Sequence, residues 1–140
     1  AARHRLPSDR PLWVPKPLRM RGGGALAGIP DLATALAQQV CGDAAAQLLQ
    51  AMPEEQPVRY ASGSPVALLP FGVSQHHIVG EADEIVPSSY LEGYVAEAEA
   101  AGDAVQLTIV PEAAHFELVV PGTGAFETVK TAVFQQLLAG

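Results

Sequence analysis

The sequence predicts an α/β fold in which parallel strands are joined by crossover helices. The second half of the chain alternates strand-like and helix-like patterns, an order that is typical of parallel sheets. Hydrophobic residues make up 49% of the 140 residues, which is enough to bury one core. A charged fraction of 16% and a single cysteine exclude a disordered chain and a disulfide-stabilised scaffold. We therefore expect one folded domain.

The charge of the chain is acidic overall and unevenly distributed. The formal net charge is −7 and the isoelectric point is about 4.9, so nucleic acid is not expected as a partner. Six of the eight basic residues nevertheless lie within the first 21 positions. They form either a basic arm that binds an acidic surface or a solvated connector. The connector is favoured because four prolines interrupt any cationic helix face: Pro7, Pro11, Pro15 and Pro17.

The apolar stretches of the chain are short. None has the length of a membrane span, and the first residues carry no uninterrupted apolar core of a secretory signal, so no membrane association is expected. The lone Cys41 agrees with a reducing compartment. We expect a cytoplasmic protein.

The first 52 residues predict short elements separated by loops. Residues 1–6 are typical of a helix tail, and residues 7–21 form a Pro-rich connector. Residues 22–28 predict a short buried strand, which is no phosphate-binding loop because no lysine follows the glycines. Residues 31–39 and 43–52 predict two Ala-rich helices, each beginning at an aspartate that can cap it.

The remainder predicts a strand–helix–strand–helix core over residues 72–138. Residues 53–70 are rich in turn-forming residues and are expected to be irregular. Residues 75–80 then predict a strand, and Ser89 and Glu92 have the spacing of a capping box that begins a helix. Residues 104–110 are rich in strand-forming residues. The last helix is predicted to bury an apolar stripe that consists of Phe126, Val129, Val133, Phe134, Leu137 and Leu138.

Two polar residues follow the strands of this core. Asp83 comes three residues after the predicted strand that ends at Gly80, and His115 follows the strand that ends at Val110. Functional residues of open parallel sheets gather at the carboxyl ends of the strands, so the two side chains can meet if the strands are neighbours. An aspartate that accepts from one imidazole nitrogen leaves the other nitrogen free to act as a general base.

The motif around these residues resembles that of a known family. The family pattern His-Gly-x-x-Asp-x-x-Val-Pro is matched here at Gly80, Asp83, Val86 and Pro87. An Ala-Gly pair, a strand and the dipeptide His115-Phe116 then follow in the family's order. Over about residues 22–138 the chain resembles the C-terminal part of an α/β-hydrolase, of the dienelactone hydrolase and prolyl-oligopeptidase-like esterase type.

The resemblance implies a serine hydrolase that cleaves a small carboxylic ester or amide. It makes Asp83 the acid and His115 the base of a Ser-Asp-His triad, and it requires no metal or organic cofactor. The chain departs from the family at Val79, where a histidine is usual, and at Ala113-Ala114, where glycines often precede the histidine. These 140 residues also contain no Gly-x-Ser-x-Gly elbow for the nucleophile. The isolated chain is therefore expected to be inactive.

Other candidate sites have simpler explanations. Ser62 and Ser64 lie in a proline-bounded loop and not on a strand-to-helix elbow. Cys41 has no obvious base beside it. His76 and His77 could contribute to a metal site with Glu81 and Asp83, but adjacent strand residues point to opposite faces, so core or edge histidines are favoured.

The domain organisation leaves two further hypotheses open. Residues 31–52 occupy the position of a helical cap, so Leu32, Leu36, Cys41 and Leu48 either line a substrate pocket or pack in the core. Residues 1–140 then form one partial domain. Alternatively, the chain is a non-catalytic relic or a module that binds a partner through an exposed sheet edge, for which a homodimer is the simplest form.

Overall fold

A sheet of three parallel strands forms the centre of the fold. In the computed structural model, which describes residues 2–138, the strands β1 (Gly22–Leu26), β2 (Ser74–Gly80) and β3 (Val105–Val110) lie side by side in chain order. Strand β2 is central, because it pairs in parallel with β1 on one side and with β3 on the other. The carboxyl ends of β2 and β3 are therefore neighbours.

Helices connect the strands and follow the last one, which confirms the predicted α/β class with crossover helices. The connection between β1 and β2 contains α1 (Leu32–Ala37), α2 (Ala44–Leu49) and α3 (Pro57–Gly63). Helix α4 (Ser88–Ala100) joins β2 to β3, and α5 (Gly124–Leu138) follows β3. Shorter 3-10 helices span Ala2–Arg5, Pro65–Leu68 and His115–Val119.

The core lies on both faces of β2. Ile78 is buried in a cluster with residues of β3 and α5, whereas the adjacent Val79 is buried in a cluster with residues of α1 and α4. Alternate residues of a strand point to opposite faces, so one strand supplies both clusters. Six of its seven residues are buried, as expected for a central strand of a parallel sheet.

A buried polar network joins the amino ends of the strands. The Asp103 carboxylate accepts hydrogen bonds from the Phe71 N–H at 2.6 Å and the Gly72 N–H at 2.8 Å, and from Gln75 Nε2 at 2.9 Å. The Tyr94 hydroxyl donates to Gln75 Oε1 at 2.7 Å. Charge-assisted bonds of this kind are stronger than neutral ones, so the network fixes the entry to β2 against the entry to β3.

The stretch before β2 is more regular than predicted. Residues 53–70 were expected to be irregular, but they contain α3 and the 3-10 helix Pro65–Leu68. Pro57 occupies the first turn of α3, where its missing N–H has no helical acceptor to lose. Tyr60 is buried, and its hydroxyl donates to the Ala51 carbonyl at 2.9 Å. Tertiary burial thus stabilises a segment whose turn residues predicted a loop.

The predicted helix caps are only partly correct. Asp31 caps α1 as expected, since its carboxylate accepts from the N–H groups of Ala33 and Thr34. Asp43 caps nothing and instead accepts from Gln47 Nε2 at 2.8 Å. The capping box at Ser89 was wrong, because α4 already begins at Ser88, with Pro87 at the N-cap and no side-chain cap.

The apolar stripe predicted for α5 was also largely wrong. The buried residues of this helix are Ala125, Val129 and Ala132, which follow a helical period of their own. Only Val129 belongs to the predicted stripe. Four other members are exposed, at 45% for Val133, 57% for Phe134, 58% for Leu137 and 83% for Leu138. The sheet has three strands, so this face of α5 extends beyond the surface it packs on.

The first residues of the chain and strand β1 differ slightly from the prediction. Residue 1 lies outside the described residues, and the predicted helix tail is the 3-10 helix Ala2–Arg5. Strand β1 forms as predicted, but it is half-buried and lies at the edge of the sheet.

Among residues 2–138, no helix combines the length and apolarity that a membrane-spanning segment needs.

Candidate active site

Asp83 lies in the loop that follows β2, with its side chain fully buried. Its Oδ1 accepts hydrogen bonds from the Ile85 N–H at 2.9 Å and the Val86 N–H at 2.8 Å. This local turn is typical of aspartate, whose short carboxylate bonds the backbone two residues on. One carboxylate oxygen is therefore held by the loop itself, and the other remains available.

His115 occupies that remaining position. It is the first residue of the 3-10 helix after β3, and its Nδ1 lies 2.8 Å from Asp83 Oδ2. Because an ionised carboxylate only accepts hydrogen bonds, this geometry assigns the proton of the neutral imidazole to Nδ1. The lone pair then lies on Nε2. The imidazole is 24% exposed, so the ring is accessible from solvent.

Glycine at position 80 lets the two loops come together. A β-carbon at Gly80 would lie 2.1 Å from the Ala113 carbonyl oxygen, a distance that no packed side chain tolerates. The Ala82 N–H donates to that same oxygen at 3.0 Å, and the Glu81 N–H donates to Val110 O at 2.9 Å. The His115 loop is thus pressed against the end of β2, which brings the imidazole to Asp83.

Two glutamates stabilise the loop that carries His115. Glu112 adopts a left-handed conformation with φ of 60°, and its N–H donates to Glu81 Oε2 at 3.1 Å. The Ala114 N–H donates to Glu117 Oε2 at 2.7 Å, which closes the first turn of the 3-10 helix. The residues at 113 and 114 need no left-handed backbone, so alanines there are compatible with the turn. The sequence analysis missed this contact of Glu117. Its signal is the spacing of Ala114 and Glu117, which lie three residues apart as in a capping box.

The helices predicted over residues 31–39 and 43–52 form as α1 and α2, and the residues left open between a pocket and the core divide between two packing clusters and the surface. Leu32 and Leu36 pack in a cluster with α2 and α3, whereas Cys41 packs with the cluster that contains Val79. Leu48 is 72% exposed. The joint between α1 and α2 does approach the site, since the Cys41 N–H donates to Ile85 O at 3.3 Å.

The other candidate residues lie apart from Asp83 and His115. Ser64 is buried, and its Oγ accepts from the Leu32 N–H at 3.1 Å, which is a structural role. Ser62 belongs to α3. His76 and His77 point to opposite faces as predicted, with His76 Nε2 at 2.8 Å from Thr108 Oγ1. No group of three or more potential metal ligands is gathered among residues 2–138.

His77 has a fixed and unusual environment. Gln75 uses its amide nitrogen for Asp103, so its Oε1 accepts from the Tyr94 hydroxyl and from His77 Nε2 at 3.3 Å. The His77 Nδ1 atom is buried and has no partner within the described part of the chain. Burial, and secondarily the charge of His76, lower the pKa of His77 below its usual 6.5.

Comparisons with known proteins concern the fold. No protein-family model and no curated protein matches the sequence. An esterase from the Planctomycetes species Thermogutta terrifontis has a solved structure with a TM-score of 0.63 and 16% identity, over 85% of this chain and 42% of that one. A truncated carbohydrate esterase from gut microbiota gives 0.63 and 20%, over 83% and 42%. An acylaminoacyl peptidase gives 0.59 and 16%, over 99% and 21%.

These likenesses establish the class of fold. The chain has an α/β-hydrolase-like fold, as the sequence resemblance implied, and it spans less than half the length of each of these three structures. At 20% identity or less, the similarity concerns architecture and not activity. The narrower resemblance to dienelactone hydrolases stays a prediction.

The contact at Gly80 predicts the effect of adding one methyl group. We expect Gly80→Ala to lower the free energy of unfolding by about 1–3 kcal/mol, because the Ala113 carbonyl must shift to make room. Urea denaturation measures the change. Gly93→Ala in α4 is the matched control, since a β-carbon there meets nothing within 4 Å and alanine favours the helix. Equal stability of the two variants would contradict the proposed contact.

The buried His77 predicts a loss of stability in mild acid. The unfolded chain binds a proton near pH 6.5 and the folded chain only at lower pH, so stability is complete above about pH 6.5 and falls as the pH drops below it. Urea titrations at about pH 7.5 and about pH 5.5 measure the slope. His77→Gln should reduce this slope. Val79→Ala should destabilise equally at both values, and a slope unchanged by His77→Gln would exclude His77 as its source.

Proposed function

We propose that this chain supplies the acid and the base of a Ser-Asp-His triad that cleaves a carboxylic ester or amide. The observation that carries the proposal is the contact of 2.8 Å between His115 Nδ1 and the buried Asp83 Oδ2. The α/β-hydrolase-like fold supports it, because both residues follow the carboxyl ends of parallel strands. The serine would come from a Gly-x-Ser-x-Gly elbow, which these 140 residues lack.

The proposed reaction has two halves. The serine hydroxyl attacks the substrate carbonyl while His115 Nε2 takes its proton, and the resulting tetrahedral intermediate collapses as the same proton passes to the leaving alcohol or amine. Water then attacks the acyl-enzyme with His115 again as base, which releases the acid and restores the serine. Asp83 keeps the imidazole in the required tautomer and stabilises its cation in each half.

Kinetics test the proposal in a polypeptide that joins this segment to a Gly-x-Ser-x-Gly elbow. We expect Asp83→Asn and His115→Ala each to lower kcat for a short-chain nitrophenyl ester by about 10⁴-fold, because the base loses its orientation or is removed. Glu84→Gln is the control, since Glu84 is an exposed carboxylate of the same loop.

Two outcomes separate the parts of this proposal. Unchanged turnover in the His115 and Asp83 variants would refute the triad assignment. A proton NMR signal from His115 Nδ1–H in the 140-residue chain, lost in Asp83→Asn, would show that the pair forms whether or not a serine is present. Absence of this signal from the unmodified chain would contradict the hydrogen bond between His115 and Asp83.

A second candidate function is association through the edge of the sheet. The Ala27 N–H donates to Ile78 O at 2.8 Å, so the peptide groups of alternate residues face β2 and those of Gly24 and Leu26 face outward. An edge with unpaired peptide groups is a template for a further strand. The simplest partner is a second copy of this chain, which would pair edge to edge.

Proline substitutions distinguish this association from instability. Gly24→Pro removes an outward N–H and should convert a dimer to a monomer at unchanged stability, as measured by light scattering after gel filtration. Ala25→Pro removes an N–H that faces β2, so it should unfold the edge strand in monomer and dimer alike. A monomeric wild-type chain at every accessible concentration would exclude the homodimer.

A further inference from the structure

An exposed apolar surface adjoins the candidate base. Phe116 is 67% exposed and Val119 is 55% exposed, although both are large and hydrophobic. Residues three apart lie on the same side of a 3-10 helix, so the two side chains form one surface on the helix His115–Val119. The Phe116 ring packs edge-on against the imidazole of His115, with 4.9 Å between ring centroids and 89° between planes.

This surface cannot rotate into the core. Leu118, which points the other way, is 1% exposed and belongs to the cluster beneath the sheet. Glu117 fixes the start of the helix through the Ala114 N–H, and its own carbonyl accepts from Thr123 Oγ1 at 2.8 Å. A rotation of this helix about its axis that buried Phe116 would expose Leu118 and break these hydrogen bonds. The apolar pair is therefore held outward in a fixed position.

The charges around Phe116 and Val119 disfavour anionic ligands. Four exposed carboxylates lie in the loops at this end of the sheet, and neither loop contains a lysine or arginine. An anionic group would be repelled here, whereas a neutral one would not. The carboxylates are Glu81, Glu84, Glu112 and Glu117.

The direction of proton transfer identifies what this surface would contact. The atom that His115 protonates is the oxygen or nitrogen of the leaving group, so the rest of that group lies beside the imidazole. Phe116 is in contact with the imidazole, and Val119 continues the same surface. We propose that Phe116 and Val119 form the subsite for an uncharged, apolar leaving group, an aromatic or branched alcohol for example. This inference rests on the proposed hydrolytic function.

A pair of substrates with the same acid and different alcohols tests the subsite. In a polypeptide that joins this segment to a nucleophile elbow, we expect Phe116→Ala to lower kcat/KM about tenfold for a benzyl ester and less than about twofold for the methyl ester, because only the benzyl group loses an aromatic contact. Phe116→Leu should restore part of the difference. Phe134→Ala removes a similarly exposed ring from α5 and should change neither ester.

Binding to the 140-residue chain gives a second measurement that needs no turnover. Benzyl alcohol should shift the NMR resonances of Phe116 and Val119 at millimolar concentration, and Phe116→Ala should abolish the shifts. Benzoate, which has the same ring with a negative charge, should bind several times more weakly because of the surrounding carboxylates.

The outcomes separate the subsite from the triad. Equal losses for both esters in Phe116→Ala would show that Phe116 only positions His115, and this would overturn the subsite. No loss for either ester would overturn it too, as would benzoate that binds as tightly as benzyl alcohol. Turnover that survives His115→Ala would instead refute the triad. Binding of benzyl alcohol to the 140-residue chain would in that case show an apolar binding surface that has no part in hydrolysis.

Discussion

A carbonyl oxygen occupies the space beside Gly80 where any other residue would carry its β-carbon. The loop after β3 can descend onto the end of β2 only because that space is free. The Ala82 N–H donates a hydrogen bond to the same oxygen. This carbonyl therefore sets the distance between the loop after β2 and the loop after β3. Asp83 and His115 meet as a consequence, so the candidate site depends on this approach.

The pair needs little else to keep its shape. One oxygen of Asp83 is satisfied by two backbone N–H groups of its own loop, and the other is satisfied by His115. Backbone donors on a short turn cannot swing away as a charged side chain can. An acid–base pair built in this way is organised before a substrate or a nucleophile arrives. Preorganisation of this kind is what a general base requires.

Much of the fold and of the candidate site could be predicted from the sequence, for physical reasons that differ from element to element. The strands are short runs of β-forming residues, and the turn at Gly80 and Asp83 is a local motif, so both are encoded nearby. The errors concern burial. Tyr60 stabilises a helix in a stretch whose turn residues predict none, and Phe134 lies in a helical stripe that a three-stranded sheet leaves uncovered. Local pattern cannot report how far a neighbouring surface extends.

Among residues 2–138, two buried aspartates have the same kinds of partner, and only the identity of the third partner separates structure from chemistry. Asp83 and Asp103 each accept from two backbone N–H groups and one side chain. For Asp103 that side chain is Gln75, a buried amide that cannot take up a proton in water. For Asp83 it is an imidazole that is 24% exposed and has a second ring nitrogen that can take up a proton. A carboxylate held by two backbone N–H groups therefore fixes the fold at the amino ends of the strands and orients a candidate base at their carboxyl ends.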